Sequence, residues 1–140
     1  MPRDPDAGLA TMLGRAIRRR CSRCGCPGIF RTFGELEERC PACGFRFERE
    51  SGYWVGAMIV NTAVTFALFL ATFVGGVVAT WPDVAWTPVF IATIVVCGSV
   101  PVFFYPRSKT IWQAIELSYH PLEPHEVAEA AAALGRTAKD

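Results

Sequence analysis

One hundred and forty residues, a net charge of +1 and 51% hydrophobic side chains bound the chain to one small unit with appendages, and argue against a strong polyelectrolyte partner. The mean hydropathy is positive, +0.27. Charge is placed unevenly: ten of the fourteen Lys and Arg precede Gly52, whereas the thirty-two residues Ser51–Pro82 carry none.

Met1–Ala7 is rich in Pro and Asp and reads as a tail. No apolar h-region follows it, so no secretory signal peptide is expected. Leu9, Met12, Leu13, Ala16 and Ile17 then recur at helical spacing. Asp6 can cap that helix, and Arg15, Arg18, Arg19 and Arg20 suit its C-terminal dipole end. Residues 1–20 thus form a tail and a basic amphipathic helix. Two placements stay open for it: on the anionic cytoplasmic leaflet, or packed on its own domain.

The cysteines follow. Cys21-Ser-Arg-Cys24-Gly25 and Cys40-Pro-Ala-Cys43-Gly44 give the spacing C-x2-C-x15-C-x2-C, a zinc-site pattern. Two residues between thiols let a tight turn aim both sulfurs at one ion, and the glycine after each second Cys tolerates the positive φ that closes such a turn. Ile29–Phe33 and Glu35–Arg39 read as short strands about Gly34, with a third at Phe45 and Phe47. The expectation is a small four-cysteine zinc β-ribbon over residues 21–50. Some thirty residues cannot bury enough core to fold alone, and metal binding supplies the deficit. Four thiolates leave no open position, so one structural Zn2+ is expected on Cys21, Cys24, Cys40 and Cys43. Iron in a rubredoxin-like carrier and thiol–disulfide chemistry are the competing readings. Cys26 is left over, as a bystander, a ligand exchanging with Cys24, or a redox thiol. The arginines of this segment alternate with Glu35, Glu37, Glu38, Glu48 and Glu50, which reads as a mixed solvated face rather than a nucleic-acid surface.

Residues 51–106 read as a transmembrane hairpin with spans 53–80 and 84–105. A bilayer core about 30 Å thick needs about 20 apolar helical residues. The first span exceeds this, and its large apolar side chains sum to on the order of −4 to −7 kcal/mol on the insertion scale. Ala63, Ala67, Ala71, Gly75 and Ala79 form an i+4 stripe of small residues. Ala85, Val89, Thr93, Cys97 and Pro101 form a ridge on the second span, and the two stripes are expected to face each other. Gly52 and Gly56 match the small-residue dimer pattern but read as chance at the membrane edge. Asn61 is expected to hydrogen-bond the second helix. The short link Trp81-Pro82-Asp83 forces an antiparallel pair; Thr87 can cap a helix from Pro88, Pro101 should kink its last turns, and Pro106 and Ser108 mark the exit.

Residues 107–140 read as an interfacial helix followed by a C-terminal helix. Ile111, Trp112, Ile115 and Tyr119 share a face that can lie in the headgroup plane or pack on the ribbon. Pro124 starts a last helix through Ala133, with Gly135 beyond. His120 and His125 read as solvated. Lys and Arg flank the first entry and the second exit, while the link has neither, so the positive-inside rule places both termini in the cytoplasm. Trp54 and Trp112 then anchor the inner interface, and Trp81 and Trp86 the outer. Cytoplasmic thiolates agree with a reducing compartment.

The stretch CSRCGCPGIFRTFGELEERCPACGFRFERESGYWVGAMIVN, with the later YPRSKTIWQAIEL, resembles the bacterial membrane proteins catalogued as domain of unknown function 983. They share two CxxC knuckles, an Ile-Phe or Leu-Phe step, and an aromatic entry into a helical hairpin. The resemblance covers about residues 15–120; Cys26 departs from it, standing where an acidic or small residue is expected. It implies a zinc-ribbon membrane protein with no activity attached. Some members are encoded beside cytochrome oxidase assembly genes, which hints at assembly work.

No HExxH, phosphate-binding glycine loop, GxSxG or intramembrane carboxylate pair is present, so no enzyme is expected. The leading expectation is a membrane-anchored, non-enzymatic binding or assembly module of the inner membrane. Its partners are the bilayer and either another protein or a second copy, with no small-molecule substrate. A redox module using iron or Cys26 would be coloured and hold iron. A nucleic-acid tether, the third reading, would show affinity falling steeply with salt.

Overall fold

The computed structural model describes residues 7–137. Four helices follow in order: α1 (Leu9–Ile17), α2 (Trp54–Ala79), α3 (Trp86–Tyr119) and α4 (Pro124–Thr137). The cysteine-bearing segment between α1 and α2 contains no strand among the described residues, only two isolated antiparallel bridges, Phe30 with Leu36 and Arg39 with Arg46. The expected β-ribbon is therefore replaced by a knuckle-and-loop unit. Outside the cysteine turns its segments pair only in short stretches, as where the Arg31 N–H donates to the Glu35 carbonyl (2.9 Å) and the Glu37 N–H to the Ile29 carbonyl (3.0 Å), too few bonds in a row for a ladder.

α2 and α3 are each long and apolar enough to cross a membrane. They form an antiparallel pair. At the tip, Thr80 Oγ1 donates to the Gly76 carbonyl (2.8 Å) and accepts the Ala85 N–H (3.4 Å). Thr87 is not a cap: α3 begins one residue earlier, behind Ala85, with no side-chain cap. Trp81 and Trp86 stand exposed at this end, and Trp54 and Trp112 sit half-buried at the other.

The face that α2 turns to α3 differs from the expected one. Ala63, Ala67, Ala71, Gly75 and Ala79 are all exposed. The contact runs instead through Gly56 and Ala57, which are buried, Asn61, and Gly76, where an added Cβ would meet Val89 at 3.0 Å. On α3, Val89 and Thr93 of the expected ridge are buried, but Cys97 is exposed. Asn61 Nδ2 donates to the Pro101 carbonyl at 3.1 Å, the interhelical bond its position suggested.

α3 is one continuous helix through Pro101 and Pro106, so no separate interfacial helix starts after Ser108. Thirty-four residues span about 51 Å at 1.5 Å per residue, well beyond a hydrocarbon core of about 30 Å. A helix of this length crossing such a layer would carry its C-terminal third beyond it. There its character changes: Ser108, Lys109, Thr110, Gln113, Ala114 and Leu117 are buried against the rest of the chain. α1 packs on this part of α3, with Ala16 fully buried. That is the second of the two placements open for α1. Asp6 lies outside the described residues, and the N-cap position belongs to Gly8, without a side-chain bond. At the chain's other end α4 runs past Ala133 and Gly135 to Thr137.

Candidate metal centre

The two cysteine turns are built alike. The Cys21 N–H donates to the Cys26 carbonyl (3.0 Å), and the Gly25 N–H to the Cys21 carbonyl (2.8 Å). In the second turn the Cys40 N–H donates to the Phe45 carbonyl and the Gly44 N–H to the Cys40 carbonyl, both at 2.8 Å. Gly25 and Gly44 take φ of +77° and +68°, the left-handed conformation that a side chain resists. At Gly44 there is a second reason: an added Cβ would collide with the Ala130 carbonyl of α4.

These turns bring the Sγ atoms of Cys21, Cys24, Cys40 and Cys43 within 4.8 Å of one another. Cys21 to Cys43 measures 3.9 Å and Cys24 to Cys40 3.6 Å. Four sulfurs at about 2.3 Å from a central ion, arranged tetrahedrally, stand about 3.8 Å apart, so the cluster has the dimensions of a metal cage. Thiols this close share protons. The contact with Cys24 drives the Cys21 thiol pKa up, and the same contact drives Cys24 down; Cys43 is held down by Cys21. A cation would favour all four thiolates together, which is how metal binding couples to deprotonation.

Cys26 occupies the position that Phe45 takes in the second turn. Its Sγ donates to the Pro27 carbonyl (3.1 Å) and also lies within reach of the Cys40 sulfur. Burial pushes its thiol pKa up, with the Cys40 and Cys24 sulfurs adding to the effect.

Below the cage lies a core that the spacing of cysteines did not reveal. Cys21, Ile29, Cys40, Phe45, Phe47 and Leu117 are buried together, with Met12, Trp54 and Leu122 against them. Phe45 and Phe47 meet edge to face at 5.8 Å. The cysteine unit thus shares one core with α1, the start of α2 and the end of α3. Polar ties complete the junction. Thr110 Oγ1 donates to the Ala16 carbonyl (2.7 Å) at the end of α1, which also accepts the Arg19 N–H (2.9 Å), and the Thr110 carbonyl accepts from Ser22 Oγ (3.3 Å). Arg15 donates to the Arg23 carbonyl (2.7 Å) in the first cysteine turn.

α4 closes the other side. Arg49 makes a two-pronged pair with Glu126 (2.7 and 2.8 Å) and donates to the His120 carbonyl (2.9 Å). Burial raises the Glu126 carboxyl pKa, but the Arg49 hydrogen bonds outweigh it and leave the pKa below its ordinary value. His120 and His125 are exposed and lie beside Glu116 and Glu123, not beside the sulfurs.

Near the hairpin entry, Gly56 is where the Trp112 ring lies flat on α2; a Cβ there would overlap the ring. The Gly52–Gly56 pair, set aside in the sequence as chance, includes the one small residue that this crossing requires. Nothing in the sequence near Gly56 points forward fifty-six residues to Trp112.

The family model described as Protein of unknown function (DUF983) matches residues 30–117. The match takes in the second cysteine pair and both long helices and begins after Cys21 and Cys24. No curated protein and no solved structure matches the chain.

Proposed function

We propose that this chain, which belongs to the family described as protein of unknown function DUF983, is a membrane-anchored zinc protein that works by docking other proteins rather than by catalysis. The observation that carries the reading is the fusion of a four-thiol cage to the ends of two apolar helices through one core. Such a unit presents a rigid face at a membrane surface, and its closed ligand set leaves no coordination position for a substrate. In this reading the ion is Zn2+, the membrane is the inner membrane, and the cage and both chain ends face the reducing cytoplasm. The asymmetry of Lys and Arg and the thiolates support that orientation independently. The partner is a membrane or cytoplasmic protein, in keeping with an assembly role.

The test is purification from native membrane of the parent chain and of Cys40→Ser. A colourless protein with one zinc per chain, holding a partner that Cys40→Ser loses, is the expected result. A red protein with stoichiometric iron would move the reading to electron transfer. A partner held equally by both forms would remove the cage from the docking face.

A further inference from the structure

The loop between the two cysteine turns does more than connect them. Phe33 at its tip is 54% exposed and meets the Phe103 ring edge to face at 6.4 Å. Phe103 is itself 64% exposed and lies in the uncharged part of α3, one turn before Arg107. Gly34 lies against the Tyr105 ring, whose Cδ1 would be 3.2 Å from an added Cβ, and its carbonyl accepts from Lys109 Nζ at 2.8 Å. Arg19 donates to the Phe33 carbonyl (3.1 Å) and stands over the Phe30 and Phe33 rings at 4.3 and 5.8 Å. Two cations thus hold the tip down along the side of α3.

We propose that the Phe33–Gly34 tip is a membrane wedge, with Phe33 seated among the lipid chains just inside the headgroup layer beside Phe103. The inference rests on the reading that α2 and α3 span a bilayer. Four residues of helix rise about 6 Å, so Phe33, touching Phe103, lies about that far on the apolar side of Arg107. Phe33 and Phe103 extend the row of exposed apolar side chains that α3 carries at Ile91, Ile94, Val95 and Val102, which names the bilayer as their occupant. Exposed Ile17, Arg18 and Arg20 flank Arg19, which bridges to the tip, and Arg107 lies on the headgroup side. An apolar wedge with a basic rim fits the phosphates of an anionic leaflet. The cysteine unit is then seated in the membrane surface through its own loop as well as through its helices.

A photo-crosslinking benzophenone amino acid placed at Phe33, Ile94 or Glu38 of the full chain tests this. The protein is reconstituted into phosphatidylethanolamine–phosphatidylglycerol vesicles, irradiated, and its peptides are weighed. Ile94, 69% exposed in the uncharged N-terminal part of α3, reports the span; Glu38, exposed on the cysteine unit, reports water. Lipid adducts at 33 and 94 with none at 38 are expected. Adducts at 94 but none at 33, or crosslinks from 33 to a second polypeptide in place of lipid, overturn the wedge alone. Absence of lipid adducts at 94 overturns the spanning reading and the wedge with it.

Discussion

Replacing Gly56 by alanine should destabilise the protein, against the ordinary trend. Inside a helix, alanine is favoured over glycine by about 0.8–1.0 kcal/mol, because it loses less backbone freedom. At Gly56 the new methyl overlaps the Trp112 ring. That ring is wedged against Tyr53, with centroids 6.4 Å apart, and cannot withdraw without opening the crossing of α2 and α3. Overpacking of this kind costs about 1–3 kcal/mol, so the expected net is a loss of up to about 2 kcal/mol. Gly75→Ala is the reference, since nothing lies within 4 Å of its added Cβ. It should match the parent or exceed it by up to about 1 kcal/mol. Thermal unfolding in mild detergent, with metal content matched, reads both. Trp112→Ala should abolish most of the Gly56→Ala effect in a double-mutant cycle, because the clash disappears with the ring. If Gly56→Ala is as stable as Gly75→Ala, the reasoning about this crossing is wrong.

Other outcomes follow from the junction. Arg49→Ala should cost about 2 kcal/mol in the same assay, since it strips the two Arg49 hydrogen bonds from the half-buried Glu126 carboxylate and leaves it only the Glu123 N–H. The folded pKa of Glu126 is depressed, so its contribution is present above the ordinary carboxylate value and fades as pH falls through the lower folded one. The stability gap between parent and Glu126→Gln should accordingly narrow on acidification; a gap that widens has the wrong sign. Gln113 is fully buried and neither atom of its amide has a hydrogen-bond partner, so Gln113→Leu should raise stability by about 1–2 kcal/mol, and a loss would mean the amide is satisfied. Cys26→Ser should leave metal content unchanged and Cys40→Ser should abolish it, as read by elemental analysis; a fall in metal with Cys26→Ser would place that sulfur in the cage.

How far the sequence reached depends on whether the physics was local. The cysteine turns were legible because C-x2-C-G closes on itself within six residues. The two long apolar helices were legible because an uncharged run of that length is visible in composition alone. What failed depended on partners far along the chain. The exit read at Pro106 and Ser108 does not end the helix: α3 runs on through Pro101 and Pro106 to Tyr119, and its residues from Ser108 to Leu117 pack against the rest of the chain. The stripe Ala63–Ala79 was a true periodicity on a face that α3 does not meet. Which side of a helix its neighbour takes is set by the crossing, here by the Trp112 ring on Gly56. The strands expected of the ribbon are reduced to isolated bridges, and Ile29, Phe45 and Phe47 are buried in a core shared with α1, α2 and α3. Leu117 could have been suspected, since Ile111–Tyr119 was read as able to pack on the cysteine unit.

The claim on which the rest stands is that four sulfurs hold one ion and so fold the unit that joins the helices. X-ray absorption at the zinc edge of the purified full chain measures this directly. The account predicts one zinc per chain with four sulfur neighbours at about 2.3 Å and no nitrogen or oxygen in the first shell. A mixed shell, or a folded protein with four titratable thiols and no stoichiometric metal, would contradict it.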